Sequence, residues 1–304
     1  MYERNLLLYV LLLVSHIHAC DSIQPKQLRV HFDINKTIIA TDAVQAKDVE
    51  TTVNGILAEC MIAPWNGNNS QSYYAYVTDQ ISQECPFLAR TDDVFKHKRT
   101  QRLKQFPVQV KQQYPEQYAL YEQEKAAMMH VLQNSPTGIF PSFYQTMQWL
   151  ATQYPNRYAV YLRTFGTDLP AVVSTIQKNS SLRFANQEAD LTQSIPRIAL
   201  LRMVTNQSLC HYAIRDDYIC WKAHDFQVVG GKPFPIHLDD PDTLSIFFDD
   251  NAQDPDKQII CPLKPNGELE DTKKLLASGH IVAVNPRDAI LDVNYFINKI
   301  KALL

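Results

Sequence analysis

The feature that most constrains the fold of this chain is a short polar turn that directly follows an apolar run. The run is Leu28 to Phe32, and the turn is Asp33-Ile34-Asn35-Lys36-Thr37. The run predicts a buried β-strand, so Asp33 is expected to stand at the end of that strand. In open α/β sheets the ligand crevice lies outside the carboxyl ends of the strands. A carboxylate held there in a tight turn is rigid and accessible, so the sequence predicts a ligand site that begins at Asp33.

Two further apolar runs also end in polar residues. Tyr158 to Arg163 stops at Thr164, and Leu244 to Phe248 stops at Asp249 and Asp250. Strands that alternate with helical patterns favour an α/β fold with a Rossmann-like, mostly parallel sheet. Because the carboxyl ends of parallel strands share one edge of the sheet, we expect these three strand ends to form one site.

Between the first two predicted strands the chain is largely helical in pattern. Ala43 to Glu59 predicts an amphipathic helix, and residues 60–155 carry apolar side chains at helical spacing. Several prolines should divide this long stretch into separate helices: Pro107, Pro115, Pro136 and Pro141. We therefore predict an α/β core formed by residues 21–59 and 156–304, with residues 60–155 inserted as a helical cap.

The remaining elements are predicted from shorter patterns. Ile198 to Val204 and Cys210 to Ile214 are apolar enough for strands or a short hairpin, and Ile281 to Val284 predicts a further strand. Gly230-Gly231-Lys232-Pro233 predicts a turn, and Ala289 to Leu304 a closing helix.

The N-terminus predicts an export signal. Leu6 to Val14 is an unbroken apolar stretch, too short to span a bilayer, and Ser15-His16-Ile17-His18-Ala19-Cys20 follows it as the exit of a secretory signal. Residues 1–20 are therefore expected to be a signal peptide, and the mature protein to be secreted or periplasmic, with a possible lipid anchor at Cys20. The alternative is a buried N-terminal strand or helix. Beyond this stretch we expect no membrane span.

Composition and cysteines narrow the class of protein. A hydrophobic content of 45%, a charged content of 20% and a net charge of -3 fit a folded globular protein without a nucleic-acid-binding stripe. Beyond Cys20 five cysteines remain, which is an odd number, and none forms a zinc-type C-x-x-C pair. Cys60 with Cys85, and Cys210 with Cys220, are the pairs closest in sequence. Free buried thiols are the alternative.

The strand-end residues suit phosphoryl transfer. A strand-end Asp can attack phosphorus as a nucleophile, and a magnesium ion held by Asp249 and Asp250 would screen the repulsion between the two anions. A hydroxyl such as Thr164 and a fixed cation such as Lys232 would stabilise the phosphoryl oxygens. Lys222 competes with Lys232 for the cationic role, and the turn setting favours Lys232.

These residues and their order resemble the haloacid dehalogenase-like (HAD) superfamily. Phe32 to Thr37 looks like its first motif and Leu162-Arg163-Thr164 its second. Lys232 in Gly231-Lys232-Pro233 is similar to the third, and Ile246 to Asn251 to the fourth. The helical stretch 60–155 lies where this superfamily inserts its cap.

The resemblance implies a role for each matched residue. Asp33 would be the nucleophile, forming an aspartyl-phosphate with a small phosphorylated substrate, and Thr164 and Lys232 would hold the phosphoryl group. The implied Mg²⁺ ligands are Asp33, the main-chain carbonyl of Asn35, Asp249 and Asp250. The function implied is that of an exported, magnesium-dependent phosphohydrolase or phosphotransferase.

One position departs from that pattern. Phosphatases of this superfamily carry a second Asp two residues after the nucleophile as general acid and base, and this chain has Asn35 there. An amide cannot exchange a proton near neutral pH, and acid–base assistance is worth about 10²–10⁴-fold. The outcomes are a slow phosphatase, an enzyme with another base, or a degenerate relative that acts as a binding module. A different α/β enzyme whose acids do not converge is a further alternative.

A cluster from Asp216 to His224 could supply the missing acid or base. Its members include Asp217, Trp221 and Lys222, and His224 would titrate near neutrality. The alternative is a surface hairpin with solvated charges. Asn35-Lys36-Thr37 also fits the N-glycosylation pattern, and a glycan there would block the predicted magnesium site. Export from a bacterial cell would remove that conflict.

Overall fold

A six-stranded sheet in which every strand pairing is parallel forms the centre of this α/β protein. The computed structural model describes residues 27–40, 48–67, 70–135, 138–185, 189–191, 209–254 and 257–304. The predicted signal at 1–20, Cys20 and the strand predicted at 198–204 lie outside these residues.

The strands follow one another along the chain as β1 (Gln27–Asp33), β2 (Ile62–Ala63), β3 (Gln71–Ser72), β4 (Tyr158–Thr164), β5 (Ala189–Asp190), β6 (Tyr212–Arg215), β7 (Lys232–Pro235), β8 (Thr243–Asp249), β9 (Ile260–Leu263) and β10 (Ile281–Ala283). The central sheet has the order β10-β8-β1-β4-β6-β5, while β2 pairs with β3 and β7 with β9 in two small sheets. The three strands that end in Asp33, Thr164 and Asp249 are therefore neighbours. This confirms the predicted parallel sheet and places the three strand ends at one edge.

Both faces of β1 are covered, which explains why its polar residues are buried along with its apolar ones. On one face Phe32 stacks on Phe248 at 5.1 Å between ring centroids and meets the edges of Phe143 and Phe296. On the other face His31 is stacked on Tyr161 at 4.3 Å and is fully buried. Strands buried on both sides are the rule in parallel sheets covered by helices.

The α-helices are α1 (Val49–Cys60), α2 (Tyr73–Glu84), α3 (Asp93–Leu103), α4 (Phe106–Gln113), α5 (Pro115–Gln133), α6 (Pro141–Gln153), α7 (Leu169–Asn179), α8 (Tyr218–Ala223), α9 (Thr272–Ser278), α10 (Pro286–Leu291) and α11 (Tyr295–Lys301). Three of them begin at or next to the predicted helix-breaking prolines Pro107, Pro115 and Pro141. Proline is tolerated in a first helical turn because the amide hydrogen that it lacks would have no partner there.

The single closing helix predicted from Ala289 to Leu304 is wrong. The chain instead forms α10 and α11, separated at Asp292, whose extended backbone (ψ 105°) ends the first helix. Asn285 caps α10 by accepting hydrogen bonds from the backbone N–H groups of Arg287 and Asp288. Helical spacing of apolar residues continues across the break, so the pattern alone could not reveal it.

Helices α2 to α6 follow one another between β1 and β4, in the stretch predicted as an insertion. Of these, α6 packs directly on the sheet, where Phe143 contacts Phe32. The division into a core and a cap stays a prediction. Within the described ranges we find no helix long and apolar enough to cross a membrane. Among the described residues no disulfide joins Cys60 to Cys85 or Cys210 to Cys220, so neither predicted pairing is formed.

Candidate functional site

Three carboxylates meet at the carboxyl edge of the sheet. Asp33 is the last residue of β1 and Asp249 the last of β8; because Phe32 lies in register with Phe248, the two acids stand side by side. Asp250 follows, and one oxygen from each of these three acids lies within 4.8 Å of the others. The predicted convergence of these acids is therefore present in the structure.

Lys232 lies between two of these carboxylates. Its Nζ is 2.5 Å from Oδ1 of Asp33 and 2.8 Å from Oδ2 of Asp249, and its side chain is 1% exposed. Lys222, the competing candidate, is 52% exposed and pairs with Asp93 at 3.0 Å. The structure therefore brings Lys232, and not Lys222, to the carboxylates.

The turn predicted at Gly230 to Pro233 is wrong, since Lys232 is the first residue of β7. Its backbone N–H donates a 2.6 Å hydrogen bond to the carbonyl of Ile259. A Cβ on Gly231 would lie 2.5 Å from that same carbonyl oxygen, and one on Gly230 would lie 2.8 Å from Cα of Trp221. Both positions therefore require glycine, because the backbone there packs closely against Ile259 and Trp221. This close packing places Lys232 in the interior.

Thr37 fixes the second oxygen of Asp33. Its hydroxyl donates to Oδ2 of Asp33 at 3.3 Å and accepts from the backbone N–H of Asp250 at 3.1 Å. Asn251 similarly donates its backbone N–H to Oδ1 of Asp249 at 2.8 Å. The sequence analysis assigned no role to the side chain of Thr37. Its position in the turn, four residues after Asp33, could have indicated a contact with that carboxylate.

A second lysine contacts the third carboxylate. Nζ of Lys36 lies 3.2 Å from Oδ2 of Asp250 and 3.0 Å from Oε1 of Glu59, which is near the end of α1. The backbone of Lys36 has a positive φ of 58°, which turns the chain sharply after Asn35. Neither Lys36 nor Glu59 was predicted as a site residue, because nothing in the local pattern distinguishes them from surface charges.

Burial and mutual repulsion control protonation at this edge. Burial raises the pKa of Asp33 well above its ordinary value; Lys232 opposes this, while Asp249 and Asp250 add to it. Burial likewise raises the pKa of Asp250 to about 6, against the pull of Lys36. Burial disfavours the charge on Lys232, but the carboxylates of Asp249 and Asp33 outweigh it and raise the pKa of this lysine. The lysine therefore stays charged.

Thr164 and Asn35 lie near these groups but make fewer contacts. Thr164 is buried at the end of β4, and its hydroxyl accepts a 2.8 Å hydrogen bond from the backbone N–H of Gly166. The buried side-chain oxygen of Asn35 has no hydrogen-bond partner in the part of the chain that the structure describes.

The surface hairpin considered for the Asp216 cluster is not what forms. Asp216 is buried in a bidentate ion pair with Arg163, whose Nη2 and Nε lie 2.5 and 3.1 Å from its two oxygens. Asp217 caps α8 by accepting from the backbone N–H of Cys220 at 2.9 Å. His224 lies at the exposed end of that helix, and among the contacts of the described residues it has none with Asp33 or Asp249.

The charge balance of this edge suits a divalent cation. Four carboxylates, those of Asp33, Asp249, Asp250 and Glu59, face the two ammonium groups of Lys36 and Lys232. When all are ionised, two negative charges remain, and the side chains of Asp33, Asp249 and Asp250 are at most 10% exposed, so that an uncompensated charge on them is costly. Carboxylate oxygens are the ligands that hard divalent cations prefer. Asp33, Asp249 and Asp250 could therefore hold a metal ion.

The fold and this site together define an α/β protein with a parallel sheet and a buried carboxylate cluster suited to a metal ion. No protein-family model, no curated protein and no solved structure matches the chain.

Proposed function

We propose that this chain is a magnesium-dependent phosphohydrolase or phosphotransferase of the HAD-like kind, in which Asp33 attacks the phosphorus of a small phosphorylated substrate. The observation that carries the proposal is the contact of one buried lysine, Lys232, with both Asp33 and Asp249 at the end of adjacent parallel strands. The position of Thr164 on the next strand, β4, adds support, since β4 pairs with β1 in parallel.

The residues divide the chemistry between them. An oxygen of Asp33 forms a bond to phosphorus while the bond from phosphorus to the leaving oxygen breaks, which gives an aspartyl-phosphate and an alkoxide or phenoxide that takes a proton from water. The Lys232 ammonium and the Thr164 hydroxyl stabilise charge on the transferred group. A Mg²⁺ ion held by Asp33, Asp249, Asp250 and the main-chain oxygen of Asn35 would reduce the repulsion between carboxylate and phosphate. In the hydrolase, water then attacks the phosphorus, the bond from phosphorus to the Asp33 oxygen breaks, and inorganic phosphate and the Asp33 carboxylate are released.

The order of elements is compatible with this assignment. The helical residues 60–155 precede the strand that ends at Thr164, which is the place of the proposed cap. Lys232 lies upstream of β8, as the resemblance requires of the cation. Each proposed phosphoryl ligand thus comes from a different part of the chain and reaches the same edge.

The test is turnover of p-nitrophenyl phosphate by the purified chain with and without Mg²⁺. We expect Mg²⁺-dependent release of nitrophenol, and its loss in Asp33→Asn. A labelled phosphoryl group should remain on the wild-type protein after acid quenching and be released by hydroxylamine, as an acyl phosphate is. Turnover that is unchanged in Asp33→Asn would defeat the proposal.

Asn35 favours a second candidate, a binding module without turnover. The amide at this position cannot donate a proton to a leaving group or take one from water, yet it leaves the carboxylates and Lys232 in place. Calorimetry with Mg²⁺ and inorganic phosphate separates the two candidates. Phosphate binding that requires Lys232, together with an absence of turnover on aryl phosphates, would favour the binding module.

A further inference from the structure

A buried ion pair between Arg163 and Asp216 lies directly behind the candidate site. Their side chains are 0% and 1% exposed, and the two are 53 positions apart in the chain. A buried ion pair contributes little net stability, because desolvation offsets the attraction, and apolar residues of similar size often serve equally well. Stability alone therefore gives no reason for this pair.

The contacts of Arg163 extend to the strands that carry the site. Its Nη1 donates a 2.7 Å hydrogen bond to the carbonyl of Pro233, the residue after Lys232. The same nitrogen lies 3.2 Å from Nδ1 of His31, two residues before Asp33. Its guanidinium lies 5.4 Å from the ring centre of Phe247, two residues before Asp249.

Arg163 also occupies a particular place in the sheet. It is in register with Asp33 on the adjacent strand, so the two side chains project from the same face. Asp216 engages the guanidinium with both oxygens, and Lys232 is the cation that contacts Asp33. The backbone N–H of Asp216 donates to the carbonyl of Thr164 at 2.7 Å, which ties the pair to the end of β4 as well.

We infer that the Arg163–Asp216 pair is a positioning unit that sets where the Lys232 ammonium lies relative to Asp33 and Asp249. This inference rests on the proposed phosphoryl-transfer function. The guanidinium suits the task because its donors point in fixed directions and can serve Asp216 and the Pro233 carbonyl together. A small displacement of a group that stabilises transition-state charge is costly, about 10²-fold in rate for about 1 Å.

The experiment replaces both members of the pair by apolar residues. In Arg163→Met/Asp216→Leu no buried charge is left unpaired, but the Pro233 carbonyl loses its donor, so the chain is expected to fold with a melting temperature lowered by a few degrees. We expect kcat on p-nitrophenyl phosphate to fall about 10²-fold at saturating Mg²⁺, with KM little changed. Arg163→Lys, which keeps the charge but cannot serve both partners at once, should lose less.

A second measurement separates positioning from general packing. In a Lys232→Met background the double replacement should have no further effect on kcat, because the group that it positions is already gone. Arg102→Gln/Glu84→Gln removes an ion pair between α2 and α3 and should leave kcat unchanged. Equal losses from the double replacement with and without Lys232 would overturn the inference.

The possible failures can be told apart. Asp33-dependent turnover that the double replacement leaves intact overturns the positioning role and leaves the proposed function standing. If the wild-type chain shows no turnover but binds phosphate through Lys232, the positioning role is tested by phosphate affinity instead. The double replacement should then weaken phosphate binding by tenfold or more. A chain that neither turns over nor binds phosphate removes the proposed function and this inference together.

Discussion

Lys232 holds Asp33 by a 2.5 Å contact between ammonium and carboxylate across 199 positions of sequence. The same ammonium lies 2.8 Å from Asp249, so one cation joins the ends of two neighbouring strands. The contact lies in the interior, where charge-assisted hydrogen bonds are strong and an unpaired charge is costly.

Removal of the Lys232 charge should abolish most of the proposed activity. We expect Lys232→Met to lower kcat by about 10²–10³-fold, the loss typical of a donor aimed at transition-state charge. Lys222→Met is the matched control, because Lys222 is exposed and pairs only with an exposed Asp93 in the contacts described. Steady-state kinetics at saturating Mg²⁺ give the result, and equal kcat values for the two variants would contradict it.

Mg²⁺ should stabilise the folded chain through the carboxylate cluster. A ligand that binds only the folded state at 100 times its dissociation constant adds about 2.7 kcal/mol to the free energy of unfolding. We expect thermal unfolding to shift upward with Mg²⁺ and EDTA to reverse the shift. Asp249→Asn should lose this response, whereas Asp79→Asn, which alters an exposed ion pair, should keep it. A full response in Asp249→Asn would show that the metal binds elsewhere.

The pH dependence of metal binding follows from Asp250, whose pKa burial raises from 3.8 to about 6. Because its pKa is higher in the folded than in the unfolded chain, protonated Asp250 adds to the free energy of unfolding, fully so below its unfolded pKa. That contribution is lost as the pH rises through about 6. The ionised form binds the cation, so we expect Mg²⁺ affinity to rise over the same interval. Calorimetry between about pH 5 and pH 7 measures this rise, and Asp250→Asn should remove the part that Asp250 contributes and leave the part that comes from Asp33, whose pKa is also raised.

Restoring an acid two residues after Asp33 should raise turnover. We expect Asn35→Asp to increase kcat, by up to about 10²–10⁴-fold, most strongly for alkyl phosphates, whose leaving groups need a proton. Asn35→Leu, which is of similar size and has no ionisable group, serves as the control. Parallel assays on an alkyl and an aryl phosphate give the comparison. No gain in Asn35→Asp would show that proton transfer does not limit the reaction.

Gly231 should be indispensable to the placement of Lys232. Because a Cβ there would lie 2.5 Å from the carbonyl oxygen of Ile259, we expect Gly231→Ala to shift β7, to lower stability by about 1–3 kcal/mol and to reduce kcat. Gly55, within α1, has open space where a Cβ would stand, with no neighbouring atom within 4 Å, so Gly55→Ala should stabilise by about 0.5–1 kcal/mol. Chemical denaturation and kinetics on both variants test the contrast.

The sequence by itself determined the three central strands β1, β4 and β8 and the polar residues at which they end. Apolar runs that stop at Asp33, Thr164 and Asp249 are local patterns. A strand that is buried on both faces of a parallel sheet needs such a run whatever its position in the sheet. The same locality explains the errors: helical spacing continues through Asp292, and the Gly-Gly step before Lys232 looks like a turn until its backbone meets Ile259.

Only the tertiary structure decided which charges meet. Lys232 rather than Lys222 reaches the acids, Asp216 is buried against Arg163, and Lys36 bridges Asp250 and Glu59. Each of these contacts depends on the path of the chain between distant segments. A lysine in a loop and a lysine in the interior have the same local sequence signal, because the free energy that separates them comes from desolvation and pairing in the folded state.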